Sequence, residues 1–116
     1  MNQCKVIVRT NGSMEIIDHA PDNPEQSLEQ QQAIVGGLIE HVYPRQNCQF
    51  KFTRIIANEE GWLKNLPNNF VASYWFGSAL VGDVIVIFRS FKQFSGALVA
   101  VLNASLGHDE YSSITL

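Results

Sequence analysis

The sequence predicts an α+β fold, with one main helix packed on one face of a mostly antiparallel sheet. Three observations predict it. An alternating segment over residues 4–10 runs into Asn11-Gly12, the strongest two-residue signal for a β-hairpin. From Ser27 towards Pro44, apolar residues recur at helical spacing. Val84-Ile85-Val86-Ile87-Phe88 is apolar at every position and reads as a central strand buried on both faces. Strands, then a helix, then strands is the order of an α+β sandwich.

Taken in order, residues 4–10 place Cys4, Val6 and Val8 on one face of a strand and Lys5, Ile7 and Arg9 on the other. A two-residue turn at Asn11-Gly12 needs positive φ at both positions, and residues 13–17 form the return strand. Residues 18–26 are polar, contain Pro21 and Pro24, and read as a connection. Ser27-Leu28-Glu29-Gln30 fits a capping box, although Pro24 allows an earlier start. The helix then carries Leu28, Gln32, Val35, Leu38, Ile39 and Val42 on one stripe and stops before Pro44. Residues 48–57 read as the next strand. Phe50 and Phe52 share a face, and a bulge near Thr53 brings Phe52 and Ile55 inward together. Asn58-Glu59-Glu60-Gly61 is a polar turn in which Gly61 supplies positive φ. Residues 70–76 suit a strand or a helix, residues 83–89 a strand, and residues 96–102 a last strand or a short helix. Residues 106–116 read as an extended tail.

The helix contains Gly36-Gly37 in its expected interior. Each glycine there weakens a helix by about 0.8–1.0 kcal/mol relative to alanine. At the edge of the apolar stripe, Gly36 would let the helix sit close to the sheet. Gly37 falls on the far side, one turn after Ala33, and makes a shallow small-residue patch. Either the fold requires the pair, or a partner, a ligand or the C-terminal segment covers the patch.

Bulk properties exclude several function classes. The 116 residues fit one domain. Charged residues make up 16%, below the usual share of about 25%, which favours an oligomer or a bound partner. Net charge is −3, and residues 15–40 hold six acidic residues and no Lys or Arg. The eight basic residues are scattered, so no basic stripe follows a phosphate backbone. A net charge of −3 is too small for a DNA mimic. Neither a signal peptide nor an apolar run of spanning length appears, so a reducing cytoplasm is the default. Cys4 and Cys48 are too few for a disulfide framework or a zinc site. No metal and no cofactor is expected.

Catalytic motifs are mostly missing. Gly77 to Gly82 has the glycine spacing of a phosphate-binding loop, but Asp83 and Val84 stand where lysine and Ser/Thr are required. His19 beside Asp18, and His108 beside Asp109-Glu110, read as solvated. His41 falls on the polar side of the helix. Glu59 and Glu60 are the best acid–base or cation candidates, weighed against a plain polar turn. Trp62, Tyr74 and Trp75 suit a pocket wall, a stacking platform or the core.

Three blocks then form a pattern: Ile34-Val35-Gly36-Gly37…Ile39-Glu40; Asn58-Glu59-Glu60-Gly61…Leu66-Pro67-Asn68-Asn69; and Gly82-Asp83-Val84-Ile85-Val86. Over roughly residues 4–88 the chain resembles a family of small uncharacterised domains found in phages, plasmids and bacteria. The resemblance implies a strand, turn, strand and helix order, a closing strand, and a mobile-element setting. It carries no activity. Residues 89–116 form a C-terminal extension to that core, within a single domain spanning residues 1–116.

The candidate ligand or partner residues are Gln32, Gly37, Glu40, Asn58, Glu59, Glu60, Trp62 and Asn69, with Asp83 beside them. Gln32 is polar on the core-facing stripe, so it is expected to tie the helix to the turn. The expected function is that of a non-enzymatic accessory domain acting by protein–protein interaction or self-association. The alternative is a small-ligand binder with a pocket between the helix and the 58–69 turn, lined by Trp62.

Overall fold

In the computed structural model, residues 3–18, 28–45 and 50–106 are described. The N-terminal alternation forms strands β1 (Cys4–Val8) and β2 (Met14–Asp18), paired antiparallel with Val8 opposite Met14. The hairpin loop has three residues rather than two. Arg9 N–H donates to Ser13 O and Gly12 N–H donates to Arg9 O, both at 2.9 Å. Gly12 (φ +89°) has positive φ, whereas Asn11 does not. Asn11 instead accepts the Ser13 N–H through Oδ1 at 2.9 Å. A type I turn closed by one left-handed glycine has this pattern.

Helix α1 (Leu28–Val35) ends a full two turns before Pro44. The glycine pair terminates the helix instead of interrupting it. Gly36 adopts φ +83°, and the N–H groups of Gly36 and Gly37 both donate to Gln32 O, at 2.8 and 3.0 Å. A left-handed residue just past the last turn satisfies the orphan carbonyl and stops the helix. The chain thereby avoids the roughly 2 kcal/mol that two interior glycines would have cost. Leu38 follows, and Ile39–Val42 becomes strand β3, paired with β4 (Arg54–Asn58) so that Ile39 faces Asn58 and Glu40 faces Ala57. His41 is therefore exposed on an edge strand, not on a helix.

The strand expected over residues 48–57 is shorter and shifted. Cys48 and the capping residue Ser27 lie outside the described residues. Phe50 to Thr53 is irregular, although Thr53 N–H still donates to Ile87 O at 2.7 Å. Phe52 and Ile55, three residues apart, both reach the same core. Alternation must therefore break between them, near Thr53.

Residues 70–76 form helix α2 (Phe70–Phe76), and Val84–Phe88 forms strand β5, buried at every position. The sheet order is β2-β1-β5-β4-β3, with every neighbouring pair antiparallel. The expected single main helix is corrected to three. The longest is α3 (Phe91–Leu106), which replaces the expected last strand or short helix. Ser90 Oγ accepts the Gln93 N–H at 3.2 Å, and Gln93 Oε1 accepts the Arg89 N–H at 2.9 Å. The Ser-x-x-Gln pattern was thus a legible helix start.

Helices cover both faces of the sheet. On one face, α2 and α3 enclose the larger core, where Trp75 packs edge-on against Phe88 at 5.3 Å and its indole N–H donates to Ala97 O at 2.9 Å. Phe94, Ala97 and Val101 of α3 belong to this core. On the other face, Val35 of α1 meets Ile56, Ile85 and Ile87. Cys4 lies in the larger core, and burial pushes its thiol up to about 11.

Candidate functional site

Where β4 runs out, Asn58 is buried at 5% exposure and ties three segments together. Its Nδ2 donates to Val35 O, the last carbonyl of α1, at 3.1 Å. Its Oδ1 accepts the Glu60 N–H at 2.8 Å. An asparagine offers both donor and acceptor in one amide, so it can bind a helix end and a turn at once. The tie expected of Gln32 is made by Asn58. The main-chain carbonyl of half-buried Gln32 instead caps the helix.

Gly37 belongs to this junction. A Cβ there would lie 2.9 Å from Asn58 Nδ2 and 2.9 Å from Lys64 Nζ. Gly36 has open space around its Cβ position, so its requirement is conformational. The close approach expected at Gly36 is thus made at Gly37, which packs against Asn58 instead of forming an open patch beside Ala33, while Gly36 serves φ.

The segment after Asn58 is a braced turn. Glu59 N–H donates to Leu38 O at 2.8 Å, Gly61 N–H to Asn58 O at 3.2 Å, Lys64 N–H to Glu60 O at 2.9 Å and Leu66 N–H to Gly61 O at 3.0 Å. Positive φ falls on Asn65 (φ +54°), not on Gly61 as expected. Gly61 is buried, and a Cβ there would meet Val81 Cγ2 at 2.8 Å, so close approach is what calls for glycine. Glu59 is exposed, and Glu60 is half-buried with Lys64 Nζ 3.9 Å from its carboxylate. Trp62 and Leu63 project outward, 66% and 82% exposed, and Leu38 beside the turn is 52% exposed.

Asn69, 1% exposed, closes the far end of the segment. Its Nδ2 donates to Val8 O and to Gly82 O, both at 2.9 Å, and its Oδ1 caps α2 through the Ala72 N–H at 3.1 Å. Asp83 Oδ1 accepts the Thr10 N–H at 3.0 Å. The polar residues Asn58, Asn69 and Asp83 are thus joined to the backbone, where they fix loops. Glu40 lies on the exposed edge strand β3.

Two depressions accompany these features. One, of about 390 Å³, lies between the end of α1 and the far part of the turn, lined by Ala33, Gly36, Leu66, Pro67, Gly82 and Asp83 among others. Trp62 and Glu59, expected at such a pocket, do not line it. The other, of about 620 Å³, lies at the start of α3. Among the described residues, no three His, Cys, Asp or Glu side chains gather as a metal set, and no helix is long and apolar enough to cross a membrane.

Neither the curated proteins nor the solved structures contain a match to this chain. A family model does match, over residues 4–96, and it extends past the expected core boundary into α3. That match covers all five strands of the sheet and the whole braced turn, and the chain belongs to the family it describes, the domain of unknown function DUF3846.

Proposed function

We propose that this chain is a non-enzymatic accessory domain that binds a protein partner through the turn after Asn58. The observation that carries this reading is the contrast within one short segment. Its backbone is fastened by Asn58, Gly61 and Asn69, yet it holds Trp62 and Leu63 out in water. Burying a leucine side chain is worth roughly 1.5–3 kcal/mol. Tryptophan presents more area still and is enriched among the residues that dominate interfaces. A turn that is already rigid loses little conformational freedom on binding, so more of that energy appears as affinity. The low charged share of the chain, 16%, agrees with a surface that another chain covers. An accessory role of the mobile-element type, implied by the sequence resemblance, suits a domain built around one binding turn.

The test is sedimentation velocity on protein isolated from its native cells. The expected result is a species heavier than one chain, dissociated by Trp62→Ser with Leu63→Ser. A single-chain monomer in the wild type overturns the reading. If the heavier species contains only this chain, the partner is a second copy.

A second reading places a small ligand in the depression of about 390 Å³, whose walls come from the end of α1, from Leu66-Pro67 and from Gly82-Asp83. Native mass spectrometry then shows an added small-molecule mass on the isolated chain. The bare chain mass rejects it.

A further inference from the structure

The eight lysines and arginines are scattered along the sequence, and folding sorts them. Arg9 pairs with Glu15 at 3.1 Å. Lys64 lies 3.9 Å from Glu60, and the Arg45 guanidinium sits 4.9 Å above the Phe76 ring. Lys5 and Arg54 each have an interaction partner. The three that remain are Lys51, Arg89 and Lys92. All three line the open depression of about 620 Å³, together with Phe50, Gly96 and Ala97. No carboxylate lines it. A chain of net charge −3 therefore places three cations around one depression with no carboxylate on its wall. Gathering like charges is unfavourable unless an anion joins them.

Two neutral features add to this. Gly96 is exposed in the interior of α3, and a Cβ placed there meets nothing within 4 Å. Alanine would make a stronger helix, so the protein's own packing does not call for glycine. The space a side chain would occupy is part of the depression. Phe50 is held by its contact with Tyr74, with ring centroids 5.1 Å apart. At the start of the helix Ser90 Oγ takes the Gln93 N–H, and Gln93 Oε1 takes the N–H of Arg89, which precedes the helix. The cations, not the helix end, carry the argument.

We propose that this depression binds a phosphate ester bearing a flat ring, the simplest being a mononucleotide, with Lys51, Arg89 and Lys92 on the phosphate and the Phe50–Gly96 wall against the ring. Arginine and lysine are the usual phosphate partners, and aromatic walls accept bases without sequence preference. The volume lies in the usual range for small-molecule sites. The nucleotide is either free or one unit of a single strand, because both offer the same chemistry.

The test is an amide NMR titration of the full chain with ADP, inorganic phosphate and a single-stranded oligothymidylate in turn. ADP is expected to saturate with Kd below about 1 mM, with shifts concentrated at Phe50, Lys51 and the start of α3. Lys51→Gln with Lys92→Gln, both exposed, should weaken ADP about tenfold or more with an unchanged melting temperature. Gly96→Leu leaves the cations in place and should remove ADP binding while phosphate binding survives. Tighter, strongly salt-dependent binding of oligothymidylate, lost in the same lysine variant, identifies a strand as the source. No saturation by any of the three probes, shifts elsewhere on the chain, or ADP binding unaltered in the lysine variant each overturn the site. Phosphate binding as tightly as ADP overturns the ring half of the assignment.

Discussion

Replacing Gly37 by alanine separates two accounts of the glycine pair by sign. Were Gly37 an exposed helical residue, alanine would stabilise the protein by about 0.8–1.0 kcal/mol. At the Asn58 junction it must destabilise. The new Cβ would lie 2.9 Å from both Asn58 Nδ2 and Lys64 Nζ. Lys64 is 45% exposed and can swing away, giving up only a surface contact with Glu60 worth about 0.3–0.5 kcal/mol. Asn58 cannot move as freely. Its Nδ2–O distance to Val35 is already 3.1 Å, and a shift of about 0.5 Å takes it beyond useful hydrogen-bond length. The buried Val35 carbonyl is then stranded, a loss of about 1–3 kcal/mol. Gly37→Ala should therefore lower stability by about 1–3 kcal/mol, or roughly 4 °C in Tm per kcal/mol for a chain of this length. Urea unfolding measures this as a lower midpoint at constant m. In Asn58→Ala the obstacle is gone, so adding Gly37→Ala should have little further effect. A higher midpoint for Gly37→Ala, or strict additivity with Asn58→Ala, refutes the reasoning.

Gly36→Ala fails for a different reason: at φ +83° it forces a left-handed alanine and should cost about 1–2 kcal/mol in the same assay, with no coupling to Asn58. Asn69→Ala removes the hydrogen bonds to the Val8 and Gly82 carbonyls and uncaps α2, and should cost about 3 kcal/mol in urea unfolding. Trp62→Ser should change unfolding free energy by less than about 0.5 kcal/mol, while removing the acrylamide-quenchable part of the tryptophan emission, since Trp75 is fully buried. The Cys4 thiol, raised from 9.0 to about 11, keeps its proton in the folded state at pH values where the unfolded chain has lost it. Its stabilisation is full below pH 9.0 and is lost as pH rises towards about 11. Urea midpoints of wild type should fall more steeply over that window than those of Cys4→Ala.

Much of the sheet was legible in local pattern. Val84–Phe88 had to be central, because a strand apolar on both faces needs neighbours and cover. Asn11-Gly12 marked the hairpin, though only the bonds of Arg9 and Ser13 decide a three-residue loop. The end of α1 was misread because Leu38, Ile39 and Val42 continue a helical spacing that an edge strand satisfies equally well. The glycines carried the correct signal, since two helix-weakening residues in a row mark a terminus more economically than an interior. α3 was obscured by a continuous apolar run, which suits strand and helix alike, while its Ser90–Gln93 cap went unread. Of the candidate residues, Asn58 and Asn69 were identifiable as unusual, but their bonds to Val35, Val8 and Gly82 join segments far apart in sequence. The grouping of Lys51 with Arg89 and Lys92 has the same long-range origin and leaves no trace in spacing.

The braced turn is tested most directly by a photo-reactive residue at Leu63, with Asn11 in the exposed hairpin loop as the control position, irradiated in native cells. The account predicts a discrete protein adduct from position 63, no such adduct from position 11, and loss of the position-63 adduct in a Trp62→Ser background. No adduct from position 63, or one unchanged by Trp62→Ser, would contradict it.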